Sequence, residues 1–265
     1  MTNYNTMAKY FGPKETDVMA RLSYEKISVI TKEQFDKLFE FEPQVRKQII
    51  FRLNKKGVLK TLTRGIYFYS PIESGPSGQN INEFLVPPIL FPSGNYYIGY
   101  STMYNYYGLT DQIFQFMYVL NTSVQREKII GNIQFKMLKI SPKRMYGLEK
   151  VKINNTEVIV SDKERTLVDL IYFPEPVGGL KNAFEILKEQ IKNIDMKKFI
   201  KYVLKFTNIL TMKRIGFVLE QSGIDDKPLA PLVKRVKKTS LVVLYKSKSR
   251  KGKINKKWML IENDS

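Results

Sequence analysis

Three carboxylates within eight residues, Asp162, Glu164 and Asp169, form the grouping with the clearest catalytic potential, since clustered acids can hold a divalent ion for phosphoryl chemistry. The same residues have a stronger structural reading. Ser161-Asp162-Lys163-Glu164 has the form of a capping box, with Ser161 as N-cap and the two acids at N1 and N3, where they favour the positive end of a helix. Asp195-Met196-Lys197 is a single short nuclease-like match without a partner motif, and Gly178-Gly179 reads as a turn before a helix. There is no Gly-x-x-x-x-Gly-Lys-Ser/Thr and no Gly-x-Gly-x-x-Gly. The chain has no histidine and no cysteine, which removes Ser-His-Asp and Cys-His hydrolases, HExxH zinc sites, thiolate metal sites and disulfide scaffolds. The expectation is a non-enzyme with no catalytic residue, no metal and no cofactor. Tyr96, Tyr97, Tyr100, Tyr104, Tyr106 and Tyr107 offer rings on which bases could stack, although such density more often packs a core.

Charge points to a partner instead. Lys and Arg total 44 against 25 Asp and Glu, a formal +19, which implies a polyanion. Residues 176–265 carry 21 basic and 8 acidic residues, hence +13, and no acid occurs between Lys227 and Lys257. The loop 246–257, with Lys246, Lys248, Arg250, Lys251, Lys253, Lys256 and Lys257, is a candidate second nucleic-acid patch. The longest apolar run, Phe84–Phe91, contains two prolines and is too short for a membrane span, and Met1–Asn5 has no secretory character. A cytoplasmic protein without membrane contact is expected.

At 265 residues, 43% of them hydrophobic, the chain can bury a core and has room for two domains. Val18, Leu22 and Ile27 give a first helix its apolar stripe. Thr31-Lys32-Glu33-Gln34 is a capping box opening a second helix through Phe35, Leu38 and Phe39. Pro43 suits the first turn of a third helix, Gln44 to Lys56, with Val45, Ile49 and Leu53 at core spacing and Gly57 as a stop. Val58–Leu62 and Ile66–Tyr69 read as two strands joined by Thr63-Arg64-Gly65. Three helices and a hairpin in this order predict a winged helix-turn-helix over residues 1–70, with the third helix entering the major groove. Gln44, Arg46, Lys47, Gln48, Arg52, Lys55 and Lys56 on that helix, and Lys60, Thr63 and Arg64 on the wing, are the candidate DNA contacts. Phe51 falls on the same face, which leaves the helix phase open by a residue or two.

Turn residues over 71–80 predict a linker, followed by a mixed α/β domain over 81–265 and an α+β fold overall. Expected elements are a short helix at Ser101–Tyr107, strands at Phe114–Leu120, Ile129–Leu138 and Val151–Val160 (broken by an Asn154-Asn155 turn), and helices near 162–171, 179–192, 195–206 and 211–222. A closing hairpin is expected from Leu241–Tyr245 and Trp258–Ile261 around the basic loop.

Four segments carry a resemblance spread over residues 15–263: Gly57–Tyr67 (GVLKTLTRGIY), Ile98–Gln112 (IGYSTMYNYYGLTDQ), Val160–Asp169 (VSDKERTLVD) and Lys213–Gly223 (KRIGFVLEQSG), with Lys257-Trp258 and Asn263. In their order they resemble the AbiEi-type antitoxins of type IV abortive-infection toxin–antitoxin systems. Tyr107 stands where that family usually has histidine, which speaks against a family-wide catalytic imidazole. The resemblance implies a protein with two jobs. Its winged helix would bind inverted repeats in its own promoter and repress transcription, and its C-terminal domain would antagonise a nucleotidyltransferase toxin, with or without direct contact. RNA is a further candidate partner, and on this resemblance the basic loop 246–257 would support the antagonism of the toxin or extend the DNA footprint. The alternatives are a stand-alone transcriptional regulator, whose second domain would sense a ligand, and a nuclease with a winged-helix specificity domain.

Overall fold

A computed structural model describes residues 11–72, 82–154, 156–246 and 249–263. They divide into two compact units, the first drawn from Met1–Gly94, Lys128–Gln134 and Val151–Val158, the second from Asn95–Glu127, Phe135–Lys150 and Ile159–Ser265. Most of the expected linker, from residue 73 to residue 80, lies outside the described residues. The content of helix and strand agrees with the α+β expectation at that coarse level.

The first unit runs α1 (Pro13–Tyr24), β1 (Val29–Thr31), α2 (Lys32–Phe39), α3 (Pro43–Lys55), β2 (Leu59–Thr63) and β3 (Ile66–Tyr69). Thr31 caps α2 as the spacing requires: its hydroxyl accepts from the Gln34 amide at 3.1 Å, and the Gln34 side chain accepts from the Thr31 amide at 2.9 Å. Proline occupies the first turn of α3, and Gly57, at φ +74°, lets the chain reverse after Lys56. β1 adds to the expected elements; it pairs antiparallel with β3, giving the sheet order β1-β3-β2. Thr63 belongs to β2 rather than to the turn, which is only Arg64-Gly65, and the ladder is irregular between Thr61 and Thr63. Val18, Leu22, Phe35, Ile49 and Leu53 are buried together, so the helices pack through the stripes their spacing predicts.

A six-stranded sheet, order β6-β7-β5-β4-β9-β8, is built from β4 (Tyr96–Ile98), β5 (Phe116–Asn121), β6 (Arg126–Ile130), β7 (Ile133–Lys139), β8 (Leu148–Ile153) and β9 (Thr156–Ser161). The expected strand Ile129–Leu138 is two strands, because Gly131 takes φ +65° and turns the chain. Pro87–Leu90 forms a short helix α4 and Ser101–Tyr106 forms α5. Then come α6 (Lys163–Tyr172), α7 (Leu180–Gln190), α8 (Met196–Lys205), α9 (Ile209–Gln221) and α10 (Asp226–Val236). The cap of α6 is Asp162, not Ser161: Asp162 accepts from the Arg165 amide at 2.8 Å, while Ser161 ends β9 and bonds the Thr166 hydroxyl.

The closing hairpin is a correction too. β10 (Val242–Val243) runs parallel to β12 (Leu260–Glu262), and β11 (Lys253–Asn255), from within the expected loop, fills the other side of β12 in antiparallel register. α9 anchors this small sheet. Buried Lys213 donates to the carbonyls of Ser240 at 2.6 Å and Met259 at 3.2 Å, and Arg214 donates twice to the Leu244 carbonyl. Asn263 completes the clamp, donating to the Tyr245 and Ser249 carbonyls and accepting from the Tyr245 amide. Fully buried Trp258 lies on Gly216 and donates from its indole to Glu220 at 2.7 Å. A Cβ on Gly216 would sit 2.0 Å from the Trp258 ring, so this glycine is required by close approach. Gly216→Ala should cost about 3 kcal/mol through overpacking, read as a lowered urea midpoint; an unchanged midpoint would contradict this packing.

Candidate functional site

Val45 is half-buried and Ile49 and Leu53 are buried, which fixes the phase of α3 and turns Gln44, Lys47, Gln48, Phe51, Arg52 and Lys55 outward. Beside this face the β2–β3 turn holds Arg64 exposed, with Lys60 exposed and Thr63 half-buried on β2. Between helix and hairpin lies an open groove of about 620 Å³, lined among others by Lys32, Lys47, Phe51, Lys55 and Arg64. Lys32 is an addition to the sequence reading. It opens α2, and its amide donates to the Gly65 carbonyl at 2.8 Å, so the helix start and the turn are held together. Asn54 donates to the Thr61 hydroxyl at 2.7 Å and ties α3 to β2 across the groove floor.

Two of the expected DNA-facing cations carry internal ion pairs, although one of them, Arg46, also lines the groove. Arg46 is mostly buried and its guanidinium pairs with Asp36 of α2. Lys56 turns away from the groove to pair with Glu15 of α1, which is 3% exposed, and lies over the Phe11 ring. Arg52, 62% exposed at its side chain, reaches the same Glu15 at 4.0 Å. That leaves Lys47, Lys55, Lys60 and Arg64 as exposed cations with no ion pair among the described residues.

In the second patch Lys246, Arg250, Lys251, Lys253 and Lys256 are exposed, and Lys248 lies outside the described residues. Lys257 is a correction: it pairs with Glu220 and, at 2.6 Å, with Asp226, neutralised by acids of α9 and α10. A different basic cluster, not apparent from the sequence, borders a groove of about 550 Å³ formed by Leu204, Ile209, Pro231, Lys234, Arg235 and Lys238.

The three carboxylates do not come together as a metal site. Asp162 caps α6 and accepts from the Tyr202 hydroxyl at 2.9 Å. Glu164 pairs with Lys198 at 2.7 Å and accepts from the Asp195 amide; burial works to raise its pKa, but these partners hold it below its ordinary value. Asp169 is fully buried against Arg165 at 3.0 Å. Among the described residues no group of three or more acids could hold a metal ion. Of the tyrosines, Tyr96, Tyr97, Tyr100 and Tyr104 are buried and Tyr107 bonds Glu149 and the Ser161 carbonyl, while Tyr106 is 48% exposed. Four of the six rings are therefore core rather than stacking platforms.

The fold has a known counterpart. The Rv2827c protein of Mycobacterium tuberculosis, known as a crystal structure, superposes with a TM-score of 0.67 at 13% identity, over 95% of this chain and 92% of that one. At this identity the likeness is one of fold alone. No family model and no curated protein matches the chain. No helix among the described residues is long and apolar enough to cross a membrane.

The Glu15–Lys56 pair supports the site from beneath and gives a pH signature. Burial works to raise the Glu15 pKa, but the bond from Lys56, the Gly12 amide and the charges of Lys56 and Arg52 outweigh it and hold the carboxyl below its ordinary 4.5. A depressed carboxylate pKa adds stability that is fully present above the unfolded pKa and is lost as pH falls through the folded value. Lys56→Met should therefore be less stable than the parent at neutral pH, with the gap closing as pH falls below about 4.5. Denaturant midpoints across that range test it; a gap independent of pH would show that the pair does not set the Glu15 proton.

Proposed function

We propose that this chain is a DNA-binding autoregulator whose first unit is a winged helix, and that it serves as the antitoxin of a type IV system. The single observation that carries the DNA reading is the groove between α3 and the β2–β3 turn. Its exposed cations, Lys32, Lys47, Lys55 and Arg64, are paired with no acid among the described residues, while Arg46 in the groove and Lys56 beyond it are neutralised internally. Unpaired cations on a helix and on the adjacent turn match the two lines of contact that a major-groove helix and a backbone-tracking wing need. The element order α1-β1-α2-α3-β2-β3 with sheet order β1-β3-β2 supports the same reading.

In this reading Gln44 and Gln48 are the groups suited to base edges, since carboxamides both donate and accept. Lys47, Lys55, Lys60 and Arg64 neutralise phosphates. The partner DNA is the chain's own promoter with inverted repeats, and the antagonised protein is a nucleotidyltransferase toxin; both rest on the AbiEi resemblance. Lys213, Arg214, Gly216, Glu220, Trp258 and Asn263, which carry part of that resemblance, build the α9 anchor of the C-terminal sheet. Those motifs therefore support a shared fold more than a shared reaction.

Mobility shifts on upstream DNA across a salt series test the proposal. Lys47→Ala/Lys55→Ala/Arg64→Ala should weaken binding and flatten the salt dependence by about 0.9 for each phosphate no longer neutralised, so by roughly 3 for all three. Arg46→Ala should instead lower stability and leave the slope nearly unchanged. Equal slopes for parent and triple variant would remove α3 and the turn from the interface, and failure to relieve a co-expressed neighbouring nucleotidyltransferase would remove the antitoxin role.

A further inference from the structure

Phe51 is 68% exposed and lies among Lys47, Lys55 and Arg64 in the groove of the first unit. It is not a misplaced core residue, because Ile49 and Leu53 on either side of it in sequence are buried and fix the rotation of α3. At 100° per residue its side chain leaves the helix about 40° from Lys47 on one side and about 40° from Lys55 on the other, with Gln44 about 20° away. Phe51, Lys47, Lys55 and, from the turn, Arg64 all line one groove.

An exposed aromatic ring set among unpaired cations suits an occupant that is anionic at its rims and apolar at its centre. Duplex DNA provides this in one place. Phosphates border the major groove, and the only apolar group on its floor is the 5-methyl of thymine. We infer that Phe51 is a specificity-determining residue that reads a thymine methyl in the major groove, selecting sites with a T·A pair opposite the middle of α3. The inference rests on the DNA-binding reading above and names what that surface selects. Gln44 and Gln48 would read the neighbouring base edges, and the flanking lysines would hold the ring over its base pair.

The experiment uses the full chain and a duplex selected by it from a random library. Each thymine of that duplex is replaced in turn by deoxyuridine, which removes the methyl and keeps the base pairing. Replacing one thymine per bound helix should weaken the parent about fourfold, the equivalent of one buried methyl. The same replacement should leave Phe51→Ala unaffected, and Phe51→Leu should keep part of the sensitivity. Because the ring is exposed, the variants should melt with the parent, which circular dichroism verifies. The inference is overturned if no deoxyuridine weakens the parent, or if parent and Phe51→Ala lose equally at every position; either result, with selection intact, leaves the DNA-binding reading standing. It is also overturned if Phe51→Ala releases a co-purifying protein while the uracil series is silent, since the ring would then be a protein contact. If selection yields no preferred sequence, the DNA-binding reading falls, and this one with it.

Discussion

The second unit depends on one buried guanidinium. Arg165, fully buried on α6, donates to Asp169 one turn later, to the main-chain carbonyls of Arg144 and Tyr146, and to the Tyr97 hydroxyl on β4. Tyr97, Tyr146 and Phe206 lie around its plane. Burial works to lower its pKa, but the Asp169 carboxylate and the neighbouring tyrosines hold it above the ordinary value. An arginine cannot shed its proton to escape the interior, so its partners must all be in place at once. One side chain thus joins the helix after β9, the central strand β4 and the connection between β7 and β8. Its stabilising contribution is less important than the alternative it forbids, a fold in which the charge is buried with any of those partners missing.

The same economy recurs elsewhere in the molecule. Lys213 and Arg214 hold main-chain carbonyls of the C-terminal sheet, and burial lowers both pKa values, that of Arg214 to about 10. Lys56 pairs with one acid of another element, and Lys198 and Lys257 each bridge two. Each such pair removes an acid together with a cation, so the formal +19 stands while its location on the molecule narrows. The informative quantity is where unpaired cations remain, and on the first unit Lys47, Lys55 and Arg64 remain together along α3 and its neighbouring turn.

What is legible in the sequence is what short-range chemistry decides. The Thr31–Gln34 box, Pro43 and Gly57 delimit α2 and α3 nearly to the residue, since caps and stops act within one helical turn. Pairing between distant segments is less accessible: β1 is three residues whose partner lies on β3, and the C-terminal strands pair in parallel around a third. Helix α10 escapes a sequence reading because Pro228 and Pro231 look like breakers, although Pro228 sits in its first turn and Pro231 is tolerated inside it. At the site, Val45, Ile49 and Leu53 suggest the phase of α3, and the exposure of Phe51, which the sequence left open, settles it. The internal pairing of Arg46 and Lys56 is not legible in the sequence, because their partners stand 10 and 41 residues away.

The two-residue turn at Arg64-Gly65 is fastened by the Lys32 amide to the start of α2, and Asn54 fastens α3 to β2. The backbone that presents this surface is therefore tied at the turn and along α3. Little conformational entropy remains to be lost when a partner arrives beyond the rotamers of a few long side chains. Encounter with a polyanion would then follow diffusion and ionic strength, with no slow ordering step between collision and complex.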